Sequence, residues 1–217
     1  MKKKDLLKKY LLFLTGLFIS SLGVSFITKA ELGTSPITSI PYVLSLGFPL
    51  TLGNFTILFN ILLVLLQILI LGKNFKKIDL LQIIVTVIFG YFIDWTMLLL
   101  GWLHPALYPV KIFFLFIGCL ILALGVYFEV FANVIMLPGE SFVRAVTIRW
   151  NTDFGNTKVC FDASMTMIAV IISFILFHNL KGVREGTIIA ALIVGIIAKM
   201  YGRFFQKIYN YIHKLTG

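Results

Sequence analysis

Six long apolar runs, at roughly 10–29, 53–72, 79–100, 111–131, 157–177 and 186–204, make up most of the chain. Each is close to the about 20 residues that a helix needs to cross the hydrocarbon core of a bilayer. Two shorter helical segments, about 35–47 and 139–150, follow the first and the fourth run. At about 1.5 Å per residue, a dozen residues reach roughly half way across. Gly33-Thr34-Ser35-Pro36 opens the first short segment, with Ser or Thr as cap and proline in the first turn. Pro138-Gly139-Glu140-Ser141 opens the second. Glycine and proline break the chain just before each, so both read as re-entrant or broken helices. Such backbone is tolerated at membrane depth only inside protein or along a wet cavity.

The pattern occurs twice. Leu22-Gly23-Val24-Ser25-Phe26 matches Leu124-Gly125-Val126-Tyr127-Phe128, and Gly33-Thr34-Ser35 is aligned with Gly139-Glu140-Ser141. Gly53-Asn54 and Asn60 match Gly155-Asn156 and Asp162, and Gly90 matches Gly195. Ordered matches at an offset of 102 to 106 residues point to duplication, with repeats at 1–104 and 105–217. The expected fold is all-α and transmembrane, with six spanning helices and two short re-entrant or broken ones.

Charge placement decides how the repeats are oriented. If the short segments do not cross, fourteen basic residues lie on the side of the N-terminus: Lys2, Lys3, Lys4, Lys8, Lys9, Lys73, Lys76, Lys77, Arg144, Arg149, Lys158, Arg203, Lys207 and Lys214. Four, Lys29, Lys111, Lys181 and Arg184, lie opposite. If the short segments cross, the split falls to eleven against seven. The positive-inside rule favours six spans with both termini cytoplasmic. Three crossings per repeat invert the second copy, so two inverted repeats of about 100 residues are expected.

Composition agrees. Hydrophobic residues make up 59% and charged residues 13%, against about a quarter charged in soluble domains, and the mean hydropathy is +1.00. The net charge of +10 sits between apolar runs and at the two ends, as topology signals do, and nucleic acid is not an expected partner. No small-residue cleavage site follows the basic N-terminus, so the first run reads as a retained helix. Cys119 and Cys160 lie in apolar stretches and read as buried free thiols. His104, His178 and His213 are scattered, so no metal site or cofactor is legible.

Ala30-Glu31-Leu32-Gly33-Thr34-Ser35-Pro36, Leu52-Gly53-Asn54, and Gly90 with Asp94 resemble the YczE/YyaS/YitT group of bacterial membrane proteins. The resemblance covers nearly the whole chain and implies a multi-pass membrane protein without naming a substrate. Where that group usually has an acidic residue shortly after the proline, Ile37, Thr38 and Ser39 follow Pro36 here.

Candidate binding residues are Thr34 and Ser35 at one short-helix start, and Glu140, Ser141 and Arg144 at the other. A helix N-terminus offers free N–H donors and partial positive charge, which suits an anionic or carboxylate-bearing solute. Glu140 departs from that, and with Arg144 four residues on, a structural ion pair is the preferred reading. Asp94, Asp162 and Lys199 lie inside spanning helices, where charge is costly, and are candidates for coupling or gating. Lys158, one turn before Asp162, is that residue's structural partner, and Lys199 is close enough to an end to snorkel. Asn54 and Asn156 follow glycines at helix starts and read as caps.

Inverted repeats with broken helices suit a secondary transporter of a small polar or anionic solute, its site near the midplane. A substrate-binding subunit of a larger uptake complex, or a non-transporting scaffold, are the alternatives; co-purification with an ATPase distinguishes the first of these. No HExxH or GxSxG motif or paired catalytic histidine occurs, so an enzyme is not expected. The expected surroundings are the lipid bilayer of a bacterial inner membrane. Oligomeric state stays open, a homodimer included.

Overall fold

The computed structural model describes residues 3–216, with side chains over 6–206. Of the basic residues used above, Lys2, Lys3, Lys4, Lys207 and Lys214, and with them His213, have side chains outside that range. Eight α-helices follow in order: α1 Lys3–Lys29, α2 Pro36–Gly47, α3 Leu52–Leu71, α4 Leu81–Leu99, α5 Tyr108–Ala132, α6 Pro138–Trp150, α7 Phe154–Phe177 and α8 Glu185–Thr216. Two 3-10 turns, Gly72–Asn74 and Lys77–Leu80, join α3 to α4. No strand occurs among the described residues.

Six of these helices are long and apolar enough to cross a membrane, and α2 and α6, at 12 and 13 residues, are not. The protein is a multi-pass, all-α integral membrane protein. Large apolar side chains such as Leu69, Leu98 and Trp102 stand exposed on its outside, the surface that hydrocarbon tails cover.

Local chemistry sets the starts of the helices. Pro36 and Pro138 each occupy the first turn, where a missing N–H costs nothing. The caps of α3 and α7 are Thr51 and Asp153, whose side-chain oxygens accept the N–H groups of Asn54 at 3.1 Å and Asn156 at 2.8 Å. The two asparagines expected to cap are therefore the capped residues, because each helix begins three residues earlier than the glycine suggests.

The centre of the bundle is the seam between α1 and α5, its most extensive helix–helix contact. Gly23 lies against the backbone of Leu122, Gly125 against Ser20, Gly16 against Glu129 and Gly118 against Ile27. Rising numbers on one helix meet falling numbers on the other, so the two run antiparallel. A Cβ at Gly23 or Gly125 would overlap the facing backbone, so glycine sets how closely these helices approach. Each contact recurs with its partners displaced by 102 residues, one forward and one back.

The other pairings exchange in the same way. α1 packs on α4 as α5 packs on α8, and α2 on α7 as α6 on α3. Glu31 and Asn133, 102 residues apart, both close their helices in the left-handed region, at φ 59° and 47°. The same displacement carries Pro36 to Pro138 and Thr51 to Asp153. The alignment of Gly33-Thr34-Ser35 with Gly139-Glu140-Ser141 is thus out of register by four residues, and the positional counterpart of Glu140 is Thr38. One pair breaks the exchange: α3 and α4 pack extensively, whereas α7 and α8 barely touch.

Candidate functional site

The N-terminal tips of α2 and α6 meet inside the bundle, where the Ile37 side chain lies against Gly139. Beside them is a cavity of about 280 Å³. Its polar lining comes from Ser20 on α1, Ser35 and Thr38 at the α2 tip, Thr56 and Asn60 on α3, Glu140 on α6, and Lys158 and Asp162 on α7. Val24, Phe89, Leu122, Val126, Leu137 and Val194 supply apolar walls.

Each tip is held differently. At α2, hydroxyls form a chain: Thr28 to Thr34 at 3.0 Å, Thr34 to Thr38 at 2.9 Å, Thr38 to Ser35 at 2.7 Å. The Thr34 N–H donates to Thr187 on α8 at 3.2 Å. At α6, the Pro138 carbonyl accepts from Gln67 of α3 at 3.2 Å, and Gln67 and Gln82 pair amide to amide beneath it. Neither Ser35 nor Leu137 caps its helix with a side chain.

Of the residues expected from sequence, Ser35, Glu140 and Asp162 line this cavity. Thr34 is fully buried behind Ser35 and holds the α2 tip to α1 and α8. Ser141 donates to the Met136 carbonyl at 3.4 Å, and exposed Arg144 reaches the Met136 sulfur at 3.7 Å. The Glu140–Arg144 ion pair does not form: i,i+4 spacing permits it, but Arg144 turns to Met136 while Glu140 faces the cavity. Asp94 lies away from the cavity and binds the start of α3, accepting from the Gly53 N–H at 2.8 Å and the Thr51 hydroxyl at 2.6 Å. Lys199 is exposed on α8, and of the two thiols expected to be buried Cys119 is, whereas Cys160 is exposed on α7, where an apolar stretch faces outward. Asp162 is paired with Lys158 at 2.6 Å, as its spacing suggested.

The carboxylate that sequence reasoning passed over is Glu129 in α5. It is 8% exposed, takes a 2.5 Å hydrogen bond from the cavity-lining Ser20, and has no cationic partner among the described residues. Glu129 is the acid inside the 111–131 run, and an ionisable residue inside a span is a functional candidate by default. At the 102-residue displacement its counterpart is Ile27, so matched polar pairs do not reveal it.

Two further groups are left for a ligand. Asn60 is 5% exposed and faces the cavity, yet its amide bonds to no described residue. Glu140 has no hydrogen-bond or ion-pair partner among them either. Both reach the open space of the cavity, where water or a solute can meet them, whereas the enclosed polar side-chain atom that has no partner among the described residues is the Thr86 hydroxyl on α4. An amine or ammonium placed here would meet the carboxylate of Glu140, the amide oxygen of Asn60 and the hydroxyls of Ser35 and Thr38. The Lys158–Asp162 pair is self-neutralising, so carboxylate charge exceeds cationic charge around the space.

No curated protein and no solved structure matches the chain. A sequence profile described as "Family of unknown function (DUF6198)" matches residues 7–203, which takes in nearly all of the six spanning segments, both half-length helices and all the residues lining the cavity. On that match, the chain is a member of the DUF6198 family.

Proposed function

We propose that this protein is a secondary transporter built from two inverted repeats, and that it moves a small cationic solute through the cavity between its half-length helices. One observation carries the reading: two broken helices, one from each half, aim their N-terminal tips at a single space that holds unpartnered polar groups. The antiparallel α1–α5 seam, with contacts that recur under a 102-residue displacement, supports the inversion. An axis relating antiparallel spanning helices lies in the membrane plane, the arrangement on which rocking-bundle transporters rely. The charge count favours both termini on the cytoplasmic side, and the resemblance to the YczE/YyaS/YitT group fits such an architecture in a bacterial inner membrane.

The sign of the solute follows from charge balance. Two helix tips together offer about one positive charge. Glu140 opposes this with a carboxylate in the lining, and Glu129, off the lining but joined to it through Ser20, offers a second acid. A cation, or a proton in its absence, restores balance, which gives the cavity two alternative occupants and a basis for exchange between them. The half-helix tips alone suggested an anion; the glutamates reverse that preference.

Two-sided access tests the proposal. Asn60→Cys, in a Cys160→Ser background, is expected to react with a membrane-impermeant thiosulfonate from either face of oriented vesicles. Reaction from one face alone would refute alternating access and favour a substrate-binding subunit.

A further inference from the structure

The asymmetry between the helix pairs α3–α4 and α7–α8 bears on how solute reaches the cavity. In the first pair, Gly53 packs against the Gly90 carbonyl and Asp94, and Gly90 against Ile57, so the seam is shut. The matching glycines of the second pair have nothing to meet. A Cβ on Gly195 would find no atom within 4 Å, and one on Gly155 would touch the Asp153 cap alone, at 3.1 Å. The second pair thus carries the small residues of a closed seam while standing open.

The opening is a gap of about 460 Å³ between α7 and α8, lined by Val159, Asp162, Ala163 and Thr166 on one side and Ile188 and Ala191 on the other. Val159, Asp162 and Ala191 also line the central cavity, so the two spaces adjoin across these side chains. Exposed Met167 and Leu192 mark its outer edge, on the surface that faces lipid. A solute entering by the gap would pass from hydrocarbon between apolar walls towards Asn60 and Glu140. The central cavity alone, at about 280 Å³, lies just under the usual range of small-molecule sites, about 300–1,000 Å³. A head group fits there, and an aliphatic body extends through the gap.

We propose that the α7–α8 gap is a lateral gate, and that the solute is a membrane-partitioned amphiphile whose cationic head reaches Glu140 while its apolar tail lies between α7 and α8. This rests on the transport reading of the same cavity. Closure of the gate would bring Gly155 and Gly195 into the contacts that Gly53 and Gly90 make in the first pair.

The probe is a spin-labelled alkyltrimethylammonium, compared with an alkylsulfonate of equal chain length, in nanodiscs containing the full chain. Electron paramagnetic resonance reads the fraction immobilised by protein. The wild type is expected to immobilise the ammonium and not the sulfonate. Glu140→Gln should weaken ammonium binding by about ten-fold, the loss of roughly 1.4 kcal/mol from one charge-assisted contact. An Ala163→Cys, Ala191→Cys pair in the Cys160→Ser background should cross-link under oxidation and expel the probe, and reduction should restore binding, which controls for folding. Equal treatment of the two probes, failure of the pair to cross-link, or binding unchanged by the cross-link would each overturn the gate. Labelling of Asn60→Cys in the same preparations separates the two ideas. Two-sided labelling without ammonium binding removes the lateral gate and leaves transport standing. Ammonium binding governed by the cross-link, with one-sided labelling, keeps the gate and removes transport.

Discussion

Asp94 offers the clearest energetic test of how the first helix pair is kept shut. Its carboxylate takes two hydrogen bonds at the start of α3, from the Gly53 N–H at 2.8 Å and the Thr51 hydroxyl at 2.6 Å. Hydrogen bonds to a charged group contribute about 1.5–3 kcal/mol each. Asp94 is half-buried and the Thr51 bond lies in an exposed region, where water replaces part of what is lost. Asp94→Ala should therefore cost about 2–4 kcal/mol, the summed range of about 3–6 kcal/mol discounted for that replacement. For a chain of 150–250 residues that corresponds to a fall in Tm of about 4–16 °C. Thermal unfolding of purified protein in nanodiscs reads the shift directly. Thr51→Ala alone should cost less, and the double variant should fall short of the sum, since both remove one shared bond. A Tm for Asp94→Ala within about 2 °C of wild type, or strict additivity with Thr51→Ala, would show that these bonds do not fasten α4 to α3.

Two other substitutions probe the seam and the buried acid. Gly125→Leu places a side chain where the backbone and hydroxyl of Ser20 already stand, so it should cost about 3 kcal/mol or more and abolish folded, monodisperse protein in size-exclusion chromatography; normal elution and an unchanged Tm would contradict the close α1–α5 approach. Glu129→Gln keeps an acceptor for the Ser20 hydroxyl, so stability should change by about 1 kcal/mol or less, while binding of the ammonium probe weakens; a large loss of Tm with unaltered binding would make Glu129 a structural residue.

Much of the architecture is legible in the sequence because it follows from length and punctuation. Runs near 20 apolar residues become the six spanning helices, and Gly33 to Pro36 and Leu137 to Gly139 mark where the two short ones begin. The edges are less legible. α1 starts at Lys3, because helical hydrogen bonding continues past the apolar boundary into basic residues. α7 starts at Phe154, because Asp153 caps it. At the site, Ser35, Glu140 and Asp162 could be anticipated from helix starts and intramembrane charge. The register of the second tip could not be read from the Gly-x-Ser likeness; the prolines were the better ruler, since the first helical turn is where proline fits. Glu129 escaped because it has Ile27, not a polar residue, as its counterpart. The α7–α8 gap is invisible to sequence: Gly155 and Gly195 look the same as Gly53 and Gly90, and their opposite packing is a property of the folded chain alone.

The proposed inversion of the two halves is the basis on which the two tips meet and unequal helix pairs would act as gates, and side-specific labelling tests it directly. Cysteine placed at Asn74, between α3 and α4, and separately at Leu180, between α7 and α8, each in a Cys160→Ser background, should be modified by an impermeant maleimide from opposite faces of sealed, oriented vesicles. Position 74 is expected to label from the cytoplasmic face and position 180 from the other. Labelling of both positions from the same face would mean parallel repeats and would contradict the account.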